Sequence, residues 1–517
     1  MSEQGARKWI ITVTVILASV IELVDTSIVN VALPQMMGNL GATLDEAAWV
    51  VTAYVVANVI VVPMAGWLAA VFGRRNYFAG SIVLFTIASF FCGHATNIWE
   101  LVAFRFVQGA GGGALLATSQ AILVETFPPE ELGFANGLFG LGVVVGPTVG
   151  PTLGGWITDN YSWPWIFYVN LPIGIVATLL TFGFIRDPAV KREVGRVDWA
   201  GIFLLIVGIG SLQIVLERGE RDDWFSATYI VVLTIVAVLG IVGFIVRELT
   251  ARHPVVDLHV FRDRSLAVGT LFTFILGFGL YSSVFVFPVF AQNLLGFSAM
   301  QTGLILLPGS LATAVMMPIV GKLLQKGVRP QLMNAAGFLT FFAFTRMLSH
   351  STLASGRGDF FWPLVLRGIG LGLLFVPLTT LALSGLRGAA IAQGSGLTNM
   401  MRQLGGSFGV ALITTYITSR SWTHRQNLLR YVSEYDPAMR ERLRAMTSGL
   451  MAHGSGAWQA QQQAYAALEG TVVQQTFLLT YMDAFRVVGY FFLLCIPLLL
   501  LFPRRKGAAP VSAAAMH

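Results

Sequence analysis

Glu22 and Asp25 stand three residues apart inside an apolar run, 9–33, where a carboxylate has no water to hold its charge. An acid in hydrocarbon costs about 2.5–3.5 kcal/mol even on insertion scales, so it persists where it has chemistry to do. That chemistry is proton binding, pairing with a buried cation, or holding a cationic ligand. The spacing puts both carboxylates on one helical face. By helical rise they lie roughly 20–24 Å from the end where their run begins, and Arg105 lies about 8 Å below the opposite surface. The three residues are therefore at similar depth. Burial favours the neutral acid and a cation favours the charged one, so an acid held between the two is a titratable switch. The expectation is that Asp25 is the principal proton carrier, that Glu22 shares proton or cationic-substrate binding, and that Arg105 tunes both. The alternative is a static buried ion pair that only fixes helix packing.

The elements that must position these groups follow from composition. The 517 residues are 55% hydrophobic, 12% aromatic and only 11% charged, with mean hydropathy +0.71. Soluble domains carry about 25% charged residues, so a soluble enzyme, a disordered chain and a nucleic-acid binder are excluded. Cys92 and Cys495 both sit in apolar runs and imply no disulfide framework.

Fourteen apolar runs are long enough to cross about 30 Å of hydrocarbon as helices. They fall at 9–33, 48–71, 76–96, 100–124, 134–156, 163–185, 199–217, 227–249, 266–291, 301–324, 331–348, 360–384, 395–418 and 480–502. The first is too long, and too charged, for a cleavable signal peptide. With the N-terminus inside, 19 basic residues fall on the cytoplasmic side against three in the short outer loops (Arg218, Arg221, Arg357), which predicts cytoplasmic N- and C-termini. The cytoplasmic set includes Arg74, Arg75, Lys191, Arg192, Arg196, Arg387, Arg504, Arg505 and Lys506.

The chain also repeats itself. Pro63 to Gly66 matches Pro318 to Gly321 at an offset of 255, and Gln108-Gly109 matches Arg367-Gly368 at 259. Gly137, Gly146 and Gly150 fall on Gly396, Gly405 and Gly409, again at 259. The expected architecture is an all-α polytopic membrane protein: two six-helix bundles, 1–190 and 261–517, with an inserted helix pair at 191–260. Parallel repeats place a substrate site near the midplane between halves that rock to give alternating access. Gly142, Gly146, Gly150 and Gly154 recur every four residues, leaving a bare face for a close neighbour. With Pro147 and Pro151 between them, they suggest a bent hinge across the bundle interface that also blocks ion leakage. Arg346, Arg367, Arg402 and Arg486 lie in or near spans with no deeply buried acid in their own half. Their roles stay open between structure and transport.

Several segments together resemble the major facilitator superfamily, in its fourteen-span drug:proton antiporter branch of multidrug exporters. Leu23-Val24-Asp25-Thr26-Ser27-Ile28-Val29-Asn30-Val31-Ala32-Leu33-Pro34 is similar to that branch's first-span motif, whose acid is implicated in proton and drug coupling. Phe104-Arg105-Phe106-Val107-Gln108-Gly109 is similar to the fourth-span motif, whose arginine is assigned to proton transfer. Gly142 to Gly155, with Gly146-Pro147, resembles the fifth-span antiporter motif and implies export over uptake. Gly66 to Arg75 resembles the loop signature between spans two and three, a gate here reduced to Gly66, Gly73, Arg74 and Arg75, because Ala70 stands where the family usually has Asp. The resemblance implies protons as coupling ion, no cofactor, and a site in the bacterial inner membrane. Glu22, Asp25, Asn30, Gln108 and Arg402 are the candidate substrate-binding residues, for a hydrophobic small molecule.

The long outer loop, 419–479, carries a helix start at Asp436-Pro437, a stop at Gly454, and Met439, Leu443, Met446 and Leu450 at helical spacing. It is expected either to rest on the membrane surface as a cap or to dock a periplasmic adaptor that leads to an outer-membrane channel. Rival functions separate on sequence. No G-x-x-x-x-G-K-[ST] loop supports an ATP-driven pump. All seven histidines lie in loops, at span ends or in the tail, which disfavours an enzyme. A single titratable cluster disfavours a channel. The alternative to an antiporter is an uptake symporter for a siderophore or organic anion, since buried arginines suit anions.

Overall fold

The computed structural model describes residues 5–128, 131–187, 197–386, 389–433 and 435–502. Lys191, Arg192, Arg196, Arg387, Arg504, Arg505 and Lys506, which carry part of the charge asymmetry, lie outside the described residues, as does the Pro147 side chain. No strand occurs among the described residues. The helices are α1 (Ala6–Leu40), α2 (Leu44–Phe72, with a 3-10 turn at Val62–Met64), α3 (Arg74–His94), α4 (Ile98–Thr126) and α5 (Leu132–Asn160). They continue with α6 (Trp165–Phe184), α7 (Trp199–Arg218), α8 (Thr228–Thr250), α9 (Arg264–Asn293) and α10 (Ala299–Gln325). The last five are α11 (Pro330–Leu348), α12 (Phe361–Leu383), α13 (Ala389–Leu429), α14 (Pro437–Ala452) and α15 (Ala457–Cys495). Eleven of them are long and apolar enough to cross a membrane by length and composition alone. The others that run the length of the bundle are α5, α11 and α13, at 29, 19 and 41 residues. The two ends of the described chain, Gly5 and Phe502, lie on one face, the terminal face. There Lys8 pairs with Glu131 at the start of α5, and Phe502 stacks on Phe272 near the start of α9 at 5.1 Å.

Each half wraps around its own interior. In the first, α1 packs on α4, α5 and α6, and α2 and α3 pack on α4; in the second, α9 packs on α12 and α13, and α11 on α12 and α15. α7 and α8 pair with each other, with Gly208 against Gly240, and α7 bridges α2 and α13. α8 is the most peripheral: only 22% of its apolar window is buried, so Val232, Ile235, Val238, Leu239, Val242 and Val246 face outwards as a lipid-facing stripe should.

The seam between the halves reproduces the sequence repeat residue by residue. A Cβ on Gly137 of α5 would stand 2.8 Å from the Met317 carbonyl oxygen of α10. A Cβ on its repeat mate, Gly396 of α13, would stand 2.9 Å from the Val62 carbonyl of α2. Val62 and Met317 are themselves repeat mates, at the offset of Pro63 and Pro318. Likewise Gly133 closes on Gly321, and Ala392 on Gly66. Two backbone-close contacts, α5 with α10 and α2 with α13, are thus related by the repeat.

Two expectations need correction. The glycine ladder of α5 does not lie across the seam: Gly142, Gly146, Gly150 and Gly154 face Val20, Leu23, Ser27 and Ile28 of α1, inside the first half. The seam face of α5 is the offset set Gly133, Gly137 and Gly140, which meets α10 and α12. Nor is 419–479 a cap lying on a surface. α13 continues to Leu429 and α15 begins at Ala457, so at about 1.5 Å per residue each runs near 60 Å, roughly twice the hydrocarbon thickness. Arg425 and Glu469 join them at 2.5 Å, which makes this segment a standing helical projection. The start and stop of α14 stand where Asp436-Pro437 and Gly454 signal them. The Asp436 side chain accepts from Ala438 N–H ahead of α14, and Gly454 takes φ 95 just after it.

Candidate functional site

α1 is apolar on both sides of its two acids, and it is buried from four directions, so each acid must find its partners from neighbouring helices. Asp25 is fully buried. Its Oδ2 accepts from Arg105 Nη1 at 2.5 Å, a charge-assisted bond. Its Oδ1 accepts from Gln108 Nε2 at 2.9 Å and from Asn170 Nδ2, of α6, at 2.8 Å. Arg105 is 1% exposed and is itself enclosed: Nε donates to the Val50 carbonyl at 3.2 Å, Nη1 also donates to Gln108 Oε1 at 2.6 Å, and the Tyr54 ring lies 4.1 Å from the guanidinium. Ser89 of α3 closes the cage, accepting from Gln108 Nε2 at 2.7 Å. This is a compact charge-neutral cluster wholly within the first half.

Glu22, one turn away, turns to a different neighbourhood. Its Oε1 accepts from Asn58 Nδ2 of α2 at 2.9 Å, and its Oε2, buried, has no hydrogen-bond partner. It makes no hydrogen bond to Arg105 among the described residues. Arg402 of α13, in the other half, lies within electrostatic reach of it. Arg402 donates to Asn399 Oδ1, and Asn399 Nδ2 donates back across the seam to Gln120 Oε1 of α4 at 2.6 Å. Ser395 Oγ reaches the same Gln120 oxygen at 3.1 Å and the Ala117 carbonyl at 2.9 Å. These bonds lie in the terminal-face half of α4 and α13 and tie the two halves together there. Gln120→Leu removes the acceptor of two such bonds. At about 1 kcal/mol each, their loss is expected to raise labelling of a cysteine placed at Gln393, on that part of the seam, several-fold in a cysteine-free background. Unchanged labelling would remove Gln120 from this role.

The remaining candidates separate. Asn30 is exposed on α1, with no hydrogen bond among the described residues. Arg367 is 2% exposed, and its Nε and Nη1 have no partner. Arg346 reaches Ser349 at 3.1 Å, and Arg486 reaches Asp483 at 3.1 Å, a shallow acid already visible at the end of the last run. In the loop after α2, Arg74 pairs with Glu125 at the end of α4, and Arg75 N–H donates to Asp187 Oδ1 at 2.8 Å. Where the family loop usually has Asp and this chain has Ala70, acids from α4 and the end of α6 thus take up the loop's basic residues. Gly73 turns the chain at φ 82, and a Cβ there would stand 3.2 Å from the Asp187 carboxylate. Gly73→Ala is therefore expected to cost about 1–3 kcal/mol, the range for an L residue forced into a glycine conformation. A detergent melt with an unshifted Tm would contradict that.

Residues that charge alone does not reveal complete the site: Asn58, Ser89, Gln120, Asn170 and Asn399. Their one signal in sequence is an amide or hydroxyl inside an otherwise apolar run.

Comparison with known proteins places this geometry. Residues 15–410 match the family model described as Major Facilitator Superfamily. The chain is 36% identical over 462 residues to the multidrug export protein EmrB of Escherichia coli (strain K12), covering 89% of this chain and 90% of that protein. It is 35% identical over 497 residues to the fatty acid resistance protein FarB of Neisseria gonorrhoeae, covering 96% of each. The crystal structure of the human organic anion transporter MFSD10 (TETRAN) superposes with a TM-score of 0.62 at 14% identity, over 96% of this chain and 100% of that one, a likeness of fold. The family match spans most of both bundles and the inserted pair, and the EmrB and FarB matches carry it to nearly the whole chain: it belongs to the major facilitator superfamily, as a multi-pass membrane transporter.

Proposed function

We propose that this protein is a proton-driven antiporter that exports hydrophobic small molecules by alternating access. Asp25 is the principal proton carrier, Arg105 its counter-charge, and Glu22 the group that shares proton or substrate binding at the seam. The observation that carries this reading is the division of labour between the acids: Asp25 is sealed inside one half with Arg105, while Glu22 has an oxygen without a hydrogen bond and lies within electrostatic reach of Arg402 of the other half. A proton exchanged at the first can alter the charge balance at the second, which lies where a substrate must pass. The EmrB and FarB names, multidrug export and fatty acid resistance, favour export of lipophilic compounds over uptake. Asn30, Gln108 and Arg402 complete the substrate-binding candidates, and protons are the only coupling species invoked.

The membrane is the bacterial inner membrane, with the terminal face cytoplasmic, a reading that the excess of Lys and Arg in the sequence supports. The helical projection of α13, α14 and α15 then stands in the periplasm, where it is the docking element for an adaptor leading to an outer-membrane channel. Replacing 431–456 by a short linker should abolish co-purification of such an adaptor without unfolding the bundle, and retained co-purification would rule out this segment. For transport, proteoliposomes are loaded with a panel of hydrophobic cations, neutral uncouplers and anions. Efflux of at least one class should depend on an inward proton gradient and carry protons into the lumen in return. Efflux indifferent to collapse of that gradient would overturn antiport.

A further inference from the structure

Asp25 is surrounded by donors. Arg105 gives an N–H to Oδ2, while Gln108 and Asn170 both give N–H groups to Oδ1. That arrangement fits only the ionised carboxylate. A proton added at either oxygen sets an O–H against N–H groups, so a neighbour must turn an acceptor towards it. Arg105 has no acceptor to offer. Gln108 is held at both ends: its Oε1 takes the Arg105 bond at 2.6 Å and a Cys92 Sγ contact at 3.6 Å, and its Nε2 also bonds Ser89. Turning the Gln108 amide over would press its NH₂ against the guanidinium.

Asn170 is held at one end only. Nδ2 donates to Asp25 at 2.8 Å and weakly to Ser89 at 3.4 Å, and its Oδ1 has no hydrogen bond among the described residues. It opens the main segment of α6, Asn170–Phe184, directly after the joint at Val169 that follows the turn Trp165–Tyr168. The two ends of an amide are nearly equal in shape, so a half-turn exchanges donor for acceptor with little change in packing.

We propose that Asn170 is the positioning residue that reads the protonation state of Asp25: its Nδ2–H donates to the carboxylate, and after a half-turn its Oδ1 accepts the carboxylic O–H. The proton stays on Asp25 throughout, and no bond to Asn170 other than a hydrogen bond forms or breaks. The inference rests on Asp25 as proton carrier. The other titratable or charged groups around Asp25 are Glu22 on its own helix, Tyr54 of α2, Cys92 of α3 and Arg105 of α4; of these only Arg105 is hydrogen-bonded to it.

The test is the pH dependence of proton-coupled transport in proteoliposomes for wild type, Asn170→Ser, Asn170→Leu, Asn170→Asp and Asp25→Asn. Leucine removes the bond to the charged form, which is the stronger of the two. Its midpoint is expected about one pH unit higher than wild type. Aspartate supplies only acceptors and a like charge, so its midpoint moves further in the same direction. Serine retains a group that can donate or accept, so its midpoint moves less than that of leucine. A purely structural Asn170 would lower the rate in all three variants without moving the midpoint, and that result overturns the proposal while Asp25 keeps its role. Should Asp25→Asn retain pH-dependent coupling, the underlying reading fails and this one with it. If Asn170→Leu does not fold, proton-induced infrared difference spectra decide: an Asn amide band present in wild type and lost in Asn170→Ser supports the turn, and its absence from wild type overturns it.

Discussion

Asp25→Asn is expected to abolish proton-driven transport, by at least about 100-fold, while substrate counterflow without a proton gradient survives. The fold-change follows from removing the only buried acid that pairs with a cation in the interior of the first half; no other acid is within bonding reach of Arg105 among the described residues. The substitution has a second cost that must be separated from the first. It leaves a guanidinium, 1% exposed, without its counter-charge, and breaking a buried pair in this way costs about 3–5 kcal/mol. The single variant should therefore melt well below wild type. Asp25→Asn combined with Arg105→Gln removes both charges and should recover most of the lost Tm, yet remain uncoupled. Recovery of coupling in the double variant would mean that the ion pair serves only helix packing.

Gly277→Ala should be the most destabilising single methyl in the second half. A Cβ on Gly277 of α9 would overlap the carbonyl oxygen of Arg402, which is backbone and cannot rotate away. Relief requires α9 and α13 to separate, and overpacking of this kind costs about 1–3 kcal/mol or more. Because α13 also presents Arg402 and Asn399 to the seam, the displacement should disturb the inter-half hydrogen bonds as well as stability. Yield and Tm in detergent are the measurements. Gly470→Ala is the control, since nothing lies within 4 Å of a Cβ there, and it should match wild type. Equal melting of the two variants would contradict the close approach of α9 and α13.

The helices were legible because their signal is local and strong: nearly every run read from hydropathy reappears as a helix, with ends moved by a few residues. Where the reading fell short, the cause was polar residues with tertiary roles. Residues 419–429 and 457–479 carry Arg420, His424, Arg425 and Glu469, which end an apolar run but do not end a helix. At the site, depth and charge pointed to Glu22, Asp25 and Arg105 together. Only the packing of α2, α4 and α6 around α1 separates the two acids, giving Asp25 to Arg105 and Glu22 to Asn58. Asn170 was out of reach for a similar reason, since its meaning depends on Val169 turning α6 so that the amide meets Asp25. The glycine ladder was correctly read as a close-packing face, but sequence holds no sign of whether the neighbour is α1 or the opposite half.

The repeat relates contacts inside each half as well as across the seam. Leu23 against Gly146 in the first half corresponds to Phe274 against Gly405 in the second, which places Leu276 at the position equivalent to Asp25 and Arg367 at that equivalent to Gln108. The two copies of an ancestral unit have therefore kept the same bearing surface while their interiors went separate ways. A bearing has to stay matched, because whatever slides on one side slides on its counterpart, whereas an engine is needed only once. On the proposed reading the first copy is the engine, and the second shapes what the engine moves.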